Sequence, residues 1–214
     1  MMKTIVCFGD SNTYGYNPTN GLRYPKEVRW PGRLGELLGD EFQVIEEGCN
    51  GRTALAVDEI EGWKNAYDYL RPMLNSHKPV DLLVIMLGSN DLKDFFHLTA
   101  VDIADGIKKL AQTAKEFTKE KQGYEAKLLI ISPVAIGDVT NSPFKFGFEG
   151  EPVRESKKLA GLYEKVADEV GAWFLDADKF TDVSEEDSLH LTADSHKELS
   201  EVVAKKILEI FNLL

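Results

Sequence analysis

Short apolar runs of strand length recur along the chain at Thr4 to Phe8, Phe42 to Ile45, Leu82 to Leu87, Lys127 to Ile131 and Ala172 to Leu175. Apolar positions within them are nearly continuous rather than alternating, which is the pattern of strands buried on both faces. Between these runs the apolar positions switch to helical spacing over Trp30 to Leu38, Trp63 to His77, Ala100 to Lys121, Pro152 to Val170 and Ser195 to Phe211. Five strands alternating with helices predict an α/β fold, a three-layer αβα sandwich around a five-stranded parallel sheet. Sheets of this kind gather function where strands end at their carboxyl edge, above all at the topological switch point.

The segments that follow the runs are polar and glycine-bearing. They read Gly9-Asp10-Ser11-Asn12-Thr13 after the first run, Gly48-Cys49-Asn50-Gly51-Arg52-Thr53 after the second and Gly88-Ser89-Asn90-Asp91 after the third. Asp187-Ser188-Leu189-His190 follows the fifth at a distance. The stretch from Ser132 to Pro152 carries Pro133, Pro143, Gly137, Gly147 and Gly150 with Phe144, Phe146 and Phe148, and reads as a functional loop rather than a linker.

Composition narrows the function classes. With 214 residues and 43% hydrophobic content the chain is expected to form one domain over 1–214. A formal net charge of −11 sets its mean field against phosphate backbones and anionic lipid, so the expected partner is a small molecule rather than a nucleic acid or a membrane. Cys7 and Cys49 are too few and too scattered for a disulfide framework or a metal cluster, which points to a reducing, cytoplasmic setting with no metal and no cofactor. The first apolar run is too short for a signal-peptide core, and Leu82 to Leu87 is too short to span a bilayer.

Acyl transfer by a serine hydroxyl needs a base within hydrogen-bond reach and a third group that orients the base. Ser11, His190 and Asp187 supply these types: with Asp187 and His190 three positions apart, the Asp187 carboxylate can meet the imidazole Nδ1 and leave Nε2 for Ser11. The backbone N–H groups of Ser11 and Gly51 and the side-chain amide of Asn90 are candidate donors to an oxyanion. Asn12, Tyr14, Tyr16, Trp30, Phe144, Phe146 and Phe148 are candidates for the substrate pocket, with packing or subunit contacts the other reading of the aromatic residues. His77, His97 and His196 are expected to be structural or superficial, and Asp91 to close a turn.

In this arrangement the chain resembles the SGNH or GDSL-type hydrolases, named for four blocks whose key residues are Ser, Gly, Asn and His. The blocks match in order as Phe8-Gly9-Asp10-Ser11, Gly48-Cys49-Asn50-Gly51, Gly88-Ser89-Asn90-Asp91 and Asp187-Ser188-Leu189-His190, so the resemblance covers nearly the whole chain. Cys7 to Ser11, Val28-Arg29-Trp30, Val44 to Gly48 and Ile85 to Gly88 are similar to the arylesterase and acyltransferase branch. The resemblance implies a flavodoxin-like fold, cleavage of short-acyl esters with transfer to alcohols as a companion activity, acetylated sugars among the candidate substrates, and a homo-oligomer. It carries the second-block glycine onto Gly51, with Gly48 a rival donor. Asn12 stands where the name-giving motif has Leu, and Glu46 where many members have Asn, a departure that bears on the Gly51 turn.

Two readings from other classes stand beside this one. Asp10-Ser11-Asn12-Thr13 is superficially similar to the Asp-x-Asp-x-Thr loop of haloacid-dehalogenase-type phosphatases, with Asp10, Asp91 and Asp187 as magnesium ligands. A non-catalytic carbohydrate- or acyl-binding module is the second, because fold alone does not decide function.

Overall fold

A computed structural model describes residues 2–59 and 62–213. Strand β1 (Lys3–Gly9) leads into a helical turn α1 (Ser11–Tyr14), followed by α2 (Trp30–Leu38) and β2 (Phe42–Gly48). Then come α3 (Ala66–His77), β3 (Leu82–Met86), α4 (Ala100–Gln122), β4 (Lys127–Ser132) and the short helices α5 (Lys145–Phe148) and α6 (Glu151–Ser156). The chain continues through α7 (Leu159–Val170), β5 (Trp173–Asp176) and α8 (Ala193–Ile210).

The strands form one parallel sheet in the order β2-β1-β3-β4-β5. Alternate residues of the apolar runs feed two separate cores. Val6, Phe8, Leu83, Ile85, Leu128 and Ile130 face α3, α4 and α7, while Ile5, Cys7, Leu82, Val84, Leu129 and Ile131 face α2 and α8. Both faces are therefore covered, which is why the strands read as unbroken apolar runs. The expected three-layer α/β fold with five parallel strands is the fold observed.

Register then places the site. Gly9 pairs with Gly48 on one side and Met86 on the other, so β1, β2 and β3 end flush. The chain leaves β1 toward β2 and returns on the other side at β3, making the end of β1 the switch point.

Some element boundaries differ from the hydrophobic pattern. The helix expected over Pro152 to Val170 divides into α6 and α7, because the Ser156 hydroxyl donates to the Val153 carbonyl and accepts from the Ile136 N–H, closing α6. The helix expected from Trp63 starts at Ala66, since Asn65 caps it by accepting from the Asp68 N–H, and Trp63 lies outside at 70% exposure. Pattern could not reveal α1 and α5, which are single turns of four residues.

His196, in the first turn of α8, is fully buried; its Nδ1 accepts from the Trp30 N–H and its ring meets the edge of Tyr24. Burial, helped by the charges of His190 and Arg29, depresses its pKa from 6.5 to about 3. Below pH 6.5 the unfolded chain therefore takes up a proton that the folded chain refuses, and this stabilisation is lost progressively as pH falls toward 3. The loss is about 1.4 kcal/mol per pH unit in that window. His196→Gln, which retains an acceptor for Trp30, is expected to lose about 1 kcal/mol less than the wild type between pH 6.5 and 5.5, as measured by urea denaturation. Equal losses would show that His196 does not titrate in this way.

Candidate active site

The turn α1 sits directly on the strand ends. A Cβ on Gly9 would lie 2.0 Å from Thr13 Oγ1 and 2.7 Å from the Met86 carbonyl oxygen, and one on Gly48 would lie 2.1 Å from the Tyr14 nitrogen. Asp10 caps the turn, its carboxylate accepting from the Asn12 N–H at 3.0 Å. Burial raises the Asp10 pKa to about 6, against the opposing pull of that hydrogen bond and of the His190 and Arg52 charges. Ser11 opens α1 over the switch point.

His190 approaches from a distant part of the chain. Its Nε2 is 2.9 Å from Ser11 Oγ, and its Nδ1 is 2.6 Å from Asp187 Oδ2. The other Asp187 oxygen accepts from the N–H groups of Leu189 and His190, a backward reach made possible by Ser188 at φ +61°. Burial works to raise the Asp187 pKa, but the His190 hydrogen bond and charge, with those N–H groups, hold it below the usual carboxylate value. An ionised Asp187 only accepts, so the proton of the neutral imidazole sits on Nδ1 and Nε2 is free to accept from the Ser11 hydroxyl.

Two neighbours fix this turn. Asn12 Nδ2 donates to the Leu189 carbonyl at 3.1 Å, and Asn12 Oδ1 accepts from the Leu191 N–H at 3.0 Å. The 132–152 loop supplies the second brace: Ser142 Oγ donates to the Asp187 carbonyl, Ser188 Oγ to the Asp138 carbonyl, and the Gly137 N–H to the Ser188 carbonyl. Tyr16 and Phe144 flank the imidazole, with ring centroids 4.2 Å and 5.5 Å away.

On the other side, the 48–53 turn is closed by Arg52, whose Nη1 donates to the Gly9 carbonyl at 3.0 Å and to the Glu47 carbonyl. Gly51 takes φ +77°, a conformation that disfavours a side chain. Asn90 Nδ2 donates to the Arg52 carbonyl at 3.2 Å, and this nitrogen carries a second hydrogen. The neighbouring Asp91 carboxylate accepts from the N–H groups of Ala54, Leu55 and Ala56. Burial pushes its pKa up to about 6 against those bonds.

Ser11, Gly51, Asn90 and His190 line one cavity of about 200 Å³, together with Asn12, Tyr16, Phe144 and Phe148. Gly48 is outside it, packed beneath Tyr14. Glu46 is turned away toward Arg23 and Arg29, so it does not shape the Gly51 turn.

Several expected pocket residues are placed differently. Trp30 is fully buried in the core between the sheet and α2 and α8. Tyr14 lies outside the cavity with its ring under the Arg23 guanidinium, and Phe146 points into solvent at 96% exposure. The Asn12 amide borders the cavity but is committed to the His190 turn. Asp91 does more than close a turn, and His77 meets Glu47 at 2.7 Å. Asn50, Lys64, Ser89, Lys93 and Leu189 line the cavity without having been anticipated. The magnesium reading fails on geometry, since Asp10, Asp91 and Asp187 serve three different backbone segments. Among the described residues, no cluster of three or more His, Cys, Asp or Glu side chains is placed to hold a metal ion. Among the same residues no helix is long and apolar enough to cross a membrane.

Residues 7–198 match the model of the GDSL-like lipase/acylhydrolase family. The structure is similar to that of Est24, a carbohydrate acetylesterase from Sinorhizobium meliloti, at 34% identity and a TM-score of 0.93, covering 97% of this chain and 99% of that one. It is also similar to the aryl esterase of M. smegmatis, at 33% identity and a TM-score of 0.91, covering 99% and 100% of the two chains. No curated protein matches the chain.

The two hydrogen bonds between Asn12 and the His190 turn give a direct test. Asn12→Ala leaves a buried carbonyl and a buried N–H unpaired, and is expected to destabilise the fold by about 2 kcal/mol in urea denaturation. A change below about 0.5 kcal/mol would remove the bracing role.

Proposed function

The chain belongs to the GDSL-like lipase/acylhydrolase family, and from that premise we propose that it hydrolyses short-acyl, acetyl-type carboxylic esters through a Ser11-His190-Asp187 triad. The observation that carries this reading is the hydrogen-bonded line from Asp187 through His190 to Ser11, ending at a cavity that also holds Gly51 and Asn90. The family is one of esterases, which replaces the binding-module reading. The relatives named above are an aryl esterase and a carbohydrate acetylesterase, and aryl acetates and acetylated sugars are the substrates we carry over to this chain. A cavity of about 200 Å³ suits a small acyl group, being below the roughly 300–1,000 Å³ of drug-sized sites.

In the first step Ser11 Oγ attacks the ester carbonyl while His190 Nε2 takes its proton. Asp187 stabilises the imidazolium that forms and keeps the ring oriented. The carbonyl oxygen becomes an oxyanion facing the N–H groups of Ser11 and Gly51 and the second amide hydrogen of Asn90. As the tetrahedral intermediate collapses, His190 returns its proton to the departing alcohol and leaves an acyl group on Ser11. Water, deprotonated by His190, then attacks the acyl-enzyme, and as the acyl–Oγ bond breaks His190 returns that proton to Ser11 Oγ and the acid is released. An alcohol in place of water would receive the acyl group instead. The parts come from one sheet between Ser11 and His190, and we read residues 1–214 as one catalytic domain, with a homo-oligomer proposed from the resemblance alone.

Ser11→Ala is expected to abolish turnover of an aryl acetate and labelling by an organophosphonate while the folding transition stays cooperative. Undiminished turnover would overturn the mechanism. Asn90→Ala is expected to lower kcat by about 10²–10³ with a smaller change in KM, because the donor acts chiefly on the developing oxyanion. An effect confined to KM would exclude Asn90 from that role.

A further inference from the structure

The three donors proposed for the oxyanion belong to three separate segments. The Ser11 N–H follows β1, the Gly51 N–H lies in the turn after β2, and the Asn90 amide lies in the turn after β3. An oxyanion hole works only when its donors are aimed before the charge develops, so these segments must be held in mutual register. One buried residue, Arg52, bonds to all three.

Toward β1, Arg52 Nη1 donates to the carbonyl of Gly9, the residue before Asp10 and Ser11. The Cys49 N–H donates to the same carbonyl at 3.1 Å, so the 48–53 turn grips the peptide that leads into Ser11. Toward β2, Nη1 also donates to the Glu47 carbonyl. Within the turn, the Arg52 N–H donates to the Cys49 carbonyl at 3.1 Å, which leaves Asn50 and Gly51 as the two central residues. Gly51 takes the place where a type II turn requires a positive φ, and has φ +77°. Toward β3, the Arg52 carbonyl accepts from Asn90 Nδ2 and so sets the direction of the second amide hydrogen.

The guanidinium is itself held. Arg52 is 6% exposed, with Cζ 4.6 Å from the ring centroid of Phe8 on β1 and 5.2 Å from that of Tyr69 on α3. A planar cation packed against two rings keeps its donors in a fixed plane, and its bonds to carbonyl oxygens are charge-assisted. Arg52 is not among the residues that line the cavity, so it acts on the reaction through them.

Resting on the reading of Ser11 as nucleophile, we propose that Arg52 is the positioning residue of the oxyanion hole. Its guanidinium anchors the 48–53 turn to the ends of β1 and β2, and that anchored turn aims the Ser11 and Gly51 N–H groups and the Asn90 amide at one point. The ester in its ground state is bound without it, so its loss is felt in the tetrahedral species.

Trifluoroacetone reports on the hole directly. Ser11 Oγ adds to its carbonyl carbon, the hydroxyl proton passes to His190, and the carbonyl electron pair moves onto an oxygen that faces the three donors. The test compares the Ki of this ketone with the KM of phenyl acetate in Arg52→Lys and Arg52→Met. In both variants Ki is expected to rise about tenfold, less than the roughly 10²–10³ of a deleted donor, while KM changes less than about twofold. Both constants are read from active enzyme alone, so a loss of folded protein does not enter. A wild-type Ki in both variants, or a Ki and a KM that rise by the same factor, would overturn the proposal. Full restoration by lysine of what methionine loses would overturn it too, since charge alone would then account for the effect. Should neither variant fold, Tyr69→Ala, at a position 41% exposed, removes one of the two rings. A rise of about threefold in Ki is expected there, and an unchanged Ki sinks the proposal. All these outcomes leave the Ser11 reading standing as long as Ser11→Ala is inactive. Turnover in that variant removes the reading and the proposal together.

Discussion

The site depends on a close approach that only glycine permits, the seating of the α1 turn on the flush ends of β1 and β2. With Gly9 and Gly48 lacking side chains, Thr13 and Tyr14 occupy space that a Cβ would fill, and Ser11 is set at the switch point as a result. A packed interior does not yield gradually to an added methyl group. Lifting α1 would move the serine and would also draw Asn12 from Leu189 and Leu191, disturbing the turn that carries His190. One steric condition at the strand ends thus governs both members of the Ser11 and His190 pair.

Three buried carboxylates surround this arrangement and are held in different ways. Asp187 has an imidazole for a partner and stays ionised, whereas Asp10 and Asp91 answer mainly to backbone N–H groups and are raised by burial to about 6. For Asp10 and Asp91 the folded chain binds the proton more tightly, so their contribution to stability declines as pH rises from about 4 through 6. The buried His196 acts with the opposite sign over the overlapping range from pH 3 to 6.5. These groups offset one another in mildly acidic solution.

Much of this was legible in sequence because it follows from position on a strand. Continuous apolar runs mark strands covered on both faces, and the polar residues after each run fall at one sheet edge, which is where Ser11, Gly51 and Asn90 are found. The block pattern prefers Gly51 to Gly48, and in the fold Gly51 lines the cavity while Gly48 packs beneath Tyr14. The direction of side chains in loops was not legible. Trp30, Tyr14 and Phe146 were as plausible a wall as Tyr16, Phe144 and Phe148, since an aromatic loop residue carries no local signal of which way it faces. Asp91 looked like an ordinary turn residue because its partners, Ala54 to Ala56, lie more than thirty positions away. Lys64 and Lys93 were two among 25 basic residues until the fold placed both beside Gly51 and Asn90.

The distance along the chain between Ser11 and His190, 179 positions, sets an order in time. During synthesis Ser11 emerges 179 positions before His190, and the 132–152 loop that braces the His190 turn also follows it. Until His190 has been made, the Ser11 hydroxyl lacks the imidazole it meets in the folded chain. The hydrogen bond between Ser11 and His190 forms only when the turn before α8 closes over the sheet, so on the proposed mechanism the serine gains its base late in folding.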